Sequence, residues 1–273
     1  MSDEVVSYEV IDRVAHVTIE RPEVKNAMST AVFEQLGERA QQAATDPEAG
    51  AVLVAGRGGT FSSGLDVSLF GSGGGSGSDG GGSAGDSGGG GLGVEGIARL
   101  QAAFTAYEEL DKPTIAAVEG YCFGAGIQLA AACHLRAVAP DAQLAVMEAR
   151  WALVPDLGGT YRLPRLIGLG RATELTMTAR RVDAQEALSI GLAEFSLDGQ
   201  GPLARAHEIA AGLAAGPGSV RRMPRLLREN LGRDRDAALR AEAEAQLTCL
   251  QGPDFAEAVG AAMEGRSPSF RGI

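Results

Sequence analysis

Glu148 and Asp156 are two carboxylates in an otherwise largely apolar stretch, residues 147–160. Upstream, Gly124 and Gly126 flank Ala125 where an apolar run, residues 114–118, passes through small residues into a helix-forming segment. Glycine on both sides permits a tight turn and lets a ligand approach the first free N–H groups of that helix. Such a start suits negative charge, including charge that exists only in a transition state. A second glycine turn, Phe61-Ser62-Ser63-Gly64-Leu65-Asp66, stands outside the carboxyl end of an apolar strand at residues 51–55. That is the usual place for ligand sites in α/β proteins. The Leu65 N–H is a candidate donor of a two-donor hole. Asp66 either accepts backbone hydrogen bonds that hold the turn or takes a chemical role. Lys25 either reaches an anionic ligand or is a solvated loop lysine. Taken singly, each piece reads equally as a helix packing site or an ordinary surface acid.

The 273 residues can bury a sizeable core, as one large domain or a main domain with a small appendage. A hydrophobic content of 45% excludes a wholly disordered chain. A formal net charge of −11, with no extended basic surface to offset it, argues against a nucleic-acid partner. No uninterrupted apolar stretch is long enough to span a bilayer, so no membrane partner is expected. The acidic start, Met1-Ser2-Asp3-Glu4, is unlike a secretory signal. A soluble cytoplasmic protein is the simplest fit. Cys122, Cys133 and Cys249 are too few for a disulfide framework. His16, His134 and His207 are far apart in the chain and without nearby partners, so no metal site is expected.

The elements that must position the candidate residues follow from the pattern. Residues 5–10 and 14–19 read as a hairpin about Asp12-Arg13. A loop at residues 21–28 opens a helix capped by Ser29 or Thr30, with Val32, Phe33, Leu36 and Ala40 on its apolar face. Residues 71–93 are nearly all glycine and serine and read as a flexible insertion, either a mobile substrate cover or a tolerated surface loop. A helix at about 94–110 follows. Gly168-Leu169-Gly170-Arg171 breaks the chain before a helix at 172–178, and residues 183–188 form another. From Pro202 the chain is mostly helical, at about 202–215, 219–231, 234–249 and 253–264. The expected organisation is a core over 1–200 and a helical C-terminal region over 201–273. Arg221, Arg222, Arg225 and Arg228 form a basic patch for a phosphate or an acidic subunit surface, or a solvated helix face. Phe255, Val259 and Met263 make one apolar stripe, a candidate subunit contact.

Four segments together, Arg21-Pro22 to Asn26-Ala27, residues 61–66, residues 120–126 and residues 155–160, resemble the crotonase family of enoyl-CoA hydratases and isomerases. The ending at residues 264–270 is similar too, and only the Gly/Ser insertion falls outside the likeness. The resemblance implies a spiral of repeated β-β-α units with a helical C-terminal trimerisation region. It also implies a homotrimer or dimer of trimers and an acyl-CoA thioester substrate. Coenzyme A is then part of the substrate, and no separate cofactor is implied. The family holds the thioester oxygen with two backbone N–H groups, at the positions of Leu65 and Ala125. By the same likeness Lys25, Ala27, Ser63, Gly64, Asp66, Gly124 and Gln128 become substrate-binding positions.

Family hydratases carry two glutamates. The second matches Glu148, and the first falls at Gln128. A carboxamide orients water but is no base near neutral pH. One carboxylate suffices for another reaction, in which it removes a proton from C2 of a 3-enoyl thioester and returns it at C4. Asp156 matches a position that carries proton transfer or nucleophilic attack in some relatives; otherwise it caps the helix start at residues 158–160. If both acids line one pocket, like charge raises the pKa of one and leaves an acid–base pair. Three readings stay open. They are an enoyl-CoA isomerase, an atypical hydratase or other crotonase-type lyase, and an acyl-CoA-binding protein without turnover.

Overall fold

The computed structural model describes residues 4–66, 69, 93–199 and 201–272. The insertion expected at 71–93 therefore lies outside the described residues, apart from Gly93 at its end.

Alternating apolar and polar residues at the N-terminus form the expected hairpin. β1 (Val6–Ile11) pairs antiparallel with β2 (Val14–Ile19), with Ile11 opposite Val14. Asp12 and Arg13 make the turn at positive φ, 48° and 66°, the conformation that suits a tight hairpin. The following strands alternate between two sheets. β3 (Ala51–Gly56) and β4 (Thr114–Val118) extend the hairpin's sheet, and β5 (Tyr121–Phe123) begins a smaller one. β6 (Leu135–Val138) returns to the large sheet, whereas β7 (Gln143–Ala145) and β8 (Val182–Asp183) join the small one. β9 (Phe195–Ser196) ends the large sheet, whose order is β1-β2-β3-β4-β6-β9; the small sheet runs β5-β7-β8. From β2 onward the large sheet is parallel. Its inner strands are covered on both faces, so β4 is buried throughout and β3 at all but its last residue.

Helices connect and cover these strands. α1 (Thr30–Thr45) buries Val32, Phe33, Leu36 and Ala40, and Phe33 stacks on Phe104 of α2 (Val94–Glu108) at 5.3 Å. α3 (Ala125–Ala132) is buried along its whole length. α4 (Gly159–Ile167), α5 (Leu169–Thr178) and α6 (Ala184–Ile190) follow. α7 (Pro202–Ala214) lays Ala206, Ala210 and Ala214, one helical stripe, against Leu53 and Ile115 of the large sheet. α8 (Gly218–Asn230), α9 (Arg235–Gln251) and α10 (Pro253–Glu264) complete the C-terminal region. α9 buries none of its residues, and Leu239, Leu247, Phe255, Val259 and Met263 of α9 and α10 stand exposed. No described helix is long and apolar enough to cross a membrane.

The β-β-α repetition and the C-terminal helices agree with the expected spiral. Three details differ from the sequence reading. The chain does not run straight from β4 into α3: Gly120, at φ 52°, turns it into the three-residue β5 first. The break before α5 is Gly168 alone, at φ 78°, and Gly170 and Arg171 are already helical. His16 and His207 are not isolated. Their rings stack at 5.1 Å, with Nε2 of the first 2.9 Å from Nδ1 of the second, because α7 folds back onto β2. In the arginine patch, Arg225 pairs with Glu229 at 2.7 Å and Arg228 donates to the Glu108 carbonyl.

Candidate active site

Two glycine turns meet at the carboxyl ends of β3 and β5. Ser62 bridges to Cys122, and the Phe123 N–H donates to the Ser62 carbonyl at 3.0 Å, so the loop at 61–66 lies along β5. Gly64 has φ 108°, and a Cβ there would stand 3.1 Å from the Phe123 carbonyl oxygen. Gly126 faces the same loop, and a Cβ on it would come within 3.0 Å of Ser62. Glycine is therefore required for contact, and Gly124 at φ 52° for the turn itself. The N–H groups of Leu65 and Ala125, one on each turn, donate to no other described residue. Ala125 is the first residue of α3, where the helix leaves its N–H groups unpaired.

A buried asparagine ties the loops together. Asn26 is fully buried at φ 55°, a conformation asparagine tolerates better than most residues. Its Oδ1 accepts from the Arg21 N–H at 3.0 Å and its Nδ2 donates to the Arg57 carbonyl at 2.9 Å. The Ser62 hydroxyl donates to the Asn26 carbonyl at 2.8 Å and accepts from the Gly64 N–H at 3.2 Å. The Asp66 carboxylate receives the Arg21 guanidinium at 3.0 Å, while its N–H donates to the Met28 carbonyl.

These turns open onto a cavity of about 380 Å³. Ala27, Ser63, Gly64, Leu65 and Asp66 line it from the first loops, and Gly124, Ala125 and Glu148 from the α3 side. Val24, Met147, Trp151 and Leu153 complete the lining with apolar surface, and the sequence reading missed all four. Apart from the Trp-containing apolar run beside Glu148, nothing local marks them.

Glu148 opens a short 3₁₀ turn, Glu148–Trp151, and is only 7% exposed. Its Oε1 accepts from the Gln128 side-chain Nε2 at 2.6 Å, whereas its Oε2 has no hydrogen-bond partner among the described residues. Burial raises its pKa above the ordinary carboxylate value. The dipoles of nearby backbone N–H groups and the Gln128 amide oppose that rise, and the Asp156 charge adds to it. A carboxylate whose pKa is raised in this way is a stronger base than an exposed one.

Three expected site residues fall outside the cavity lining. Gln128 is 1% exposed and touches Glu148 from behind it. Lys25 is exposed, with its ammonium 5.1 Å from the Tyr121 ring centroid; its carbonyl accepts from the Ser63 N–H. Asp156 lines a neighbouring hollow of about 430 Å³ with Gln101, Thr105 and Arg162. Nor does Asp156 cap α4. The N-cap is Gly158 without a side-chain bond, and the Gly159 N–H donates to Gln128 Oε1 at 2.9 Å.

A two-sheet β-β-α spiral that carries two glycine turns, their N–H groups free among the described residues, beside one buried carboxylate defines a crotonase-like protein. The model of the family described as enoyl-CoA hydratase/isomerase matches residues 14–211. The chain is 30% identical over 269 residues to a Bacillus subtilis (strain 168) protein named probable enoyl-CoA hydratase, covering 98% of each. It is 34% identical over 258 residues to the mitochondrial Delta(3,5)-Delta(2,4)-dienoyl-CoA isomerase of Mus musculus, covering 93% of this chain and 77% of that one. The crystal structure of an enoyl-CoA hydratase from Bacillus anthracis superposes with a TM-score of 0.86 at 29% identity, covering 99% of this chain and 100% of the other. The chain belongs to the enoyl-CoA hydratase/isomerase family.

Proposed function

We propose that this protein is an enoyl-CoA isomerase that moves the double bond of a 3-enoyl-CoA to the 2-position. The observation that carries the reading is Glu148, a buried carboxylate on a cavity also lined by Leu65 and Ala125, whose N–H groups donate to no other described residue. The thioester oxygen accepts from the N–H groups of Leu65 and Ala125. Glu148 removes the proton from C2, and the electron pair of that C–H bond delocalises through C1 onto the thioester oxygen. Both donors stabilise this enolate as its charge develops. The pair then returns from oxygen to re-form the C1 carbonyl, the C1–C2 π pair becomes the C2–C3 double bond, the C3–C4 π pair takes the proton from Glu148 at C4, and the base is regenerated. The donors belong to the backbone, so the methyl group of Ala125 removes nothing from the hole.

Gln128 argues against two-carboxylate hydration, because its carboxamide neither accepts nor delivers a proton near neutral pH. Asp156 acts in this scheme through its charge, which favours the protonated form of Glu148. Ala27, Ser63, Gly64, Asp66 and Gly124 shape the thioester site, and Lys25 serves the anionic part of the coenzyme outside the cavity. The exposed apolar faces of α9 and α10 favour assembly into a trimer or a dimer of trimers.

The test offers 3-enoyl and 2-enoyl thioesters separately and identifies the products. Conversion of the first to a conjugated 2-enoyl thioester is expected. Rapid hydration of the second, with the first left untouched, sinks the isomerase reading in favour of an atypical hydratase. Acyl-CoA binding without conversion of either favours the binding-protein alternative.

A further inference from the structure

We propose that Gln128 is the positioning residue of this site: held by the Gly159 N–H, its carboxamide clamps one oxygen of Glu148 and so fixes the carboxylate beside the start of α3. The assignment deepens the isomerase reading and rests on it for the identity of the base. The two ends of the carboxamide are distinguished by their partners. A backbone N–H only donates, so the end 2.9 Å from Gly159 is the carbonyl. The other end is then the NH₂ group, and it donates to Glu148 Oε1 at 2.6 Å. Such a donor favours the ionised carboxylate and offsets part of the cost of its burial.

The clamp joins three pieces of the site. Gln128 belongs to α3, whose first N–H is that of Ala125, and Gly159 begins α4. Glu148 is thereby fixed relative to the helix start that receives the thioester oxygen. The contact is possible only because residue 159 is glycine: a Cβ there would lie 2.9 Å from Gln128 Oε1 and 2.8 Å from Pro155 Cβ. Gln128 does not line the cavity, so it acts on substrate through Glu148 alone.

A carboxylate at position 128 reverses the effect. Its first oxygen still accepts from Gly159, but its second faces Glu148 Oε1 with no proton between them. The pair then holds a shared proton to higher pH, and the titration belongs to both groups. Gln128→Glu therefore removes the donor while keeping size and the bond to Gly159. Gln128→Met removes both bonds at similar volume.

In Gln128→Glu the acidic limb of the kcat–pH profile should move up by about one unit or more, the scale of a close like-charge pair, with KM changed little. Gln128→Met should lower kcat at neutral pH by about tenfold, also with little change in KM. Infrared titration of the Glu148 carboxyl in substrate-free protein, assigned by difference from Glu148→Gln, should show the same upward displacement in both variants. Unchanged titration and an unchanged kcat profile in Gln128→Glu overturn the clamp. If the wild type does not isomerise 3-enoyl thioesters, the functional reading fails, and the substrate-free titration still decides the clamp by itself.

Discussion

Glu148→Gln separates the chemistry of the site from its architecture. Glutamine has nearly the volume of glutamate, so the 380 Å³ cavity keeps its shape. The new side-chain carbonyl can still accept the Gln128 Nε2, which now lies 2.6 Å from Glu148 Oε1. What disappears is the proposed base. General acid–base catalysis contributes about 100-fold or more, and at about 1.36 kcal/mol per factor of ten that loss is roughly 2.7 kcal/mol in the barrier. Binding of a saturated acyl-CoA should be nearly unchanged. Stability should move the other way. Burial raises the folded-state pKa of Glu148 above its unfolded value. Its contribution to stability is therefore fully present below the unfolded pKa, about 4.3, and is lost as pH rises through the raised folded value. Glutamine carries no such titration, so the variant should equal or exceed the wild type in stability at neutral pH, with the gap closing on acidification. Product formation from a 3-enoyl-CoA, calorimetric acyl-CoA binding and thermal unfolding against pH measure the three effects. Retention of activity within tenfold of wild type, with binding intact, would refute the assignment of Glu148 as base.

Gly64→Ala tests the oxyanion hole: its Cβ would meet the Phe123 carbonyl at 3.1 Å in a backbone conformation at φ 108°. Displacing the Leu65 N–H should cost about 100-fold in kcat, the scale of one lost donor, and a kcat within threefold of wild type in a folded variant contradicts the hole. Asp156→Asn should keep isomerisation within several-fold while moving the acidic limb of the rate profile to lower pH, because a charge that raises the Glu148 pKa is gone. A loss confined to Asp156→Asn, with Glu148→Gln active, transfers the proton to Asp156.

Much of the architecture was legible because its signals are local. Apolar runs at β3 and β4 and the helical periodicity of α1 and the C-terminal helices mark those elements without any tertiary information. The glycine turns were equally plain, since Gly64 and Gly124 need backbone freedom that the residue type itself announces. The strands β5 to β8 were not legible. At two to four residues they are too short for a period of two to show, and they exist because neighbouring strands supply their hydrogen bonds.

At the site, the residue types determined what chemistry was available: one glutamate and one glutamine at the paired positions, an aspartate nearby, and backbone donors at two turns. Tertiary structure decided where each of them stands. Asp156 was separated from the cavity because α2 and α4 enclose it in another hollow, which no spacing along the chain could reveal. The same packing buried Glu148, left Oε2 without a partner among the described residues, and set Gln128 between it and the start of α4. Burial and hydrogen-bond satisfaction are properties of surroundings contributed by residues far apart in the chain. The sequence could therefore name the carboxylate, and only the fold could bury it and set its hydrogen bonds.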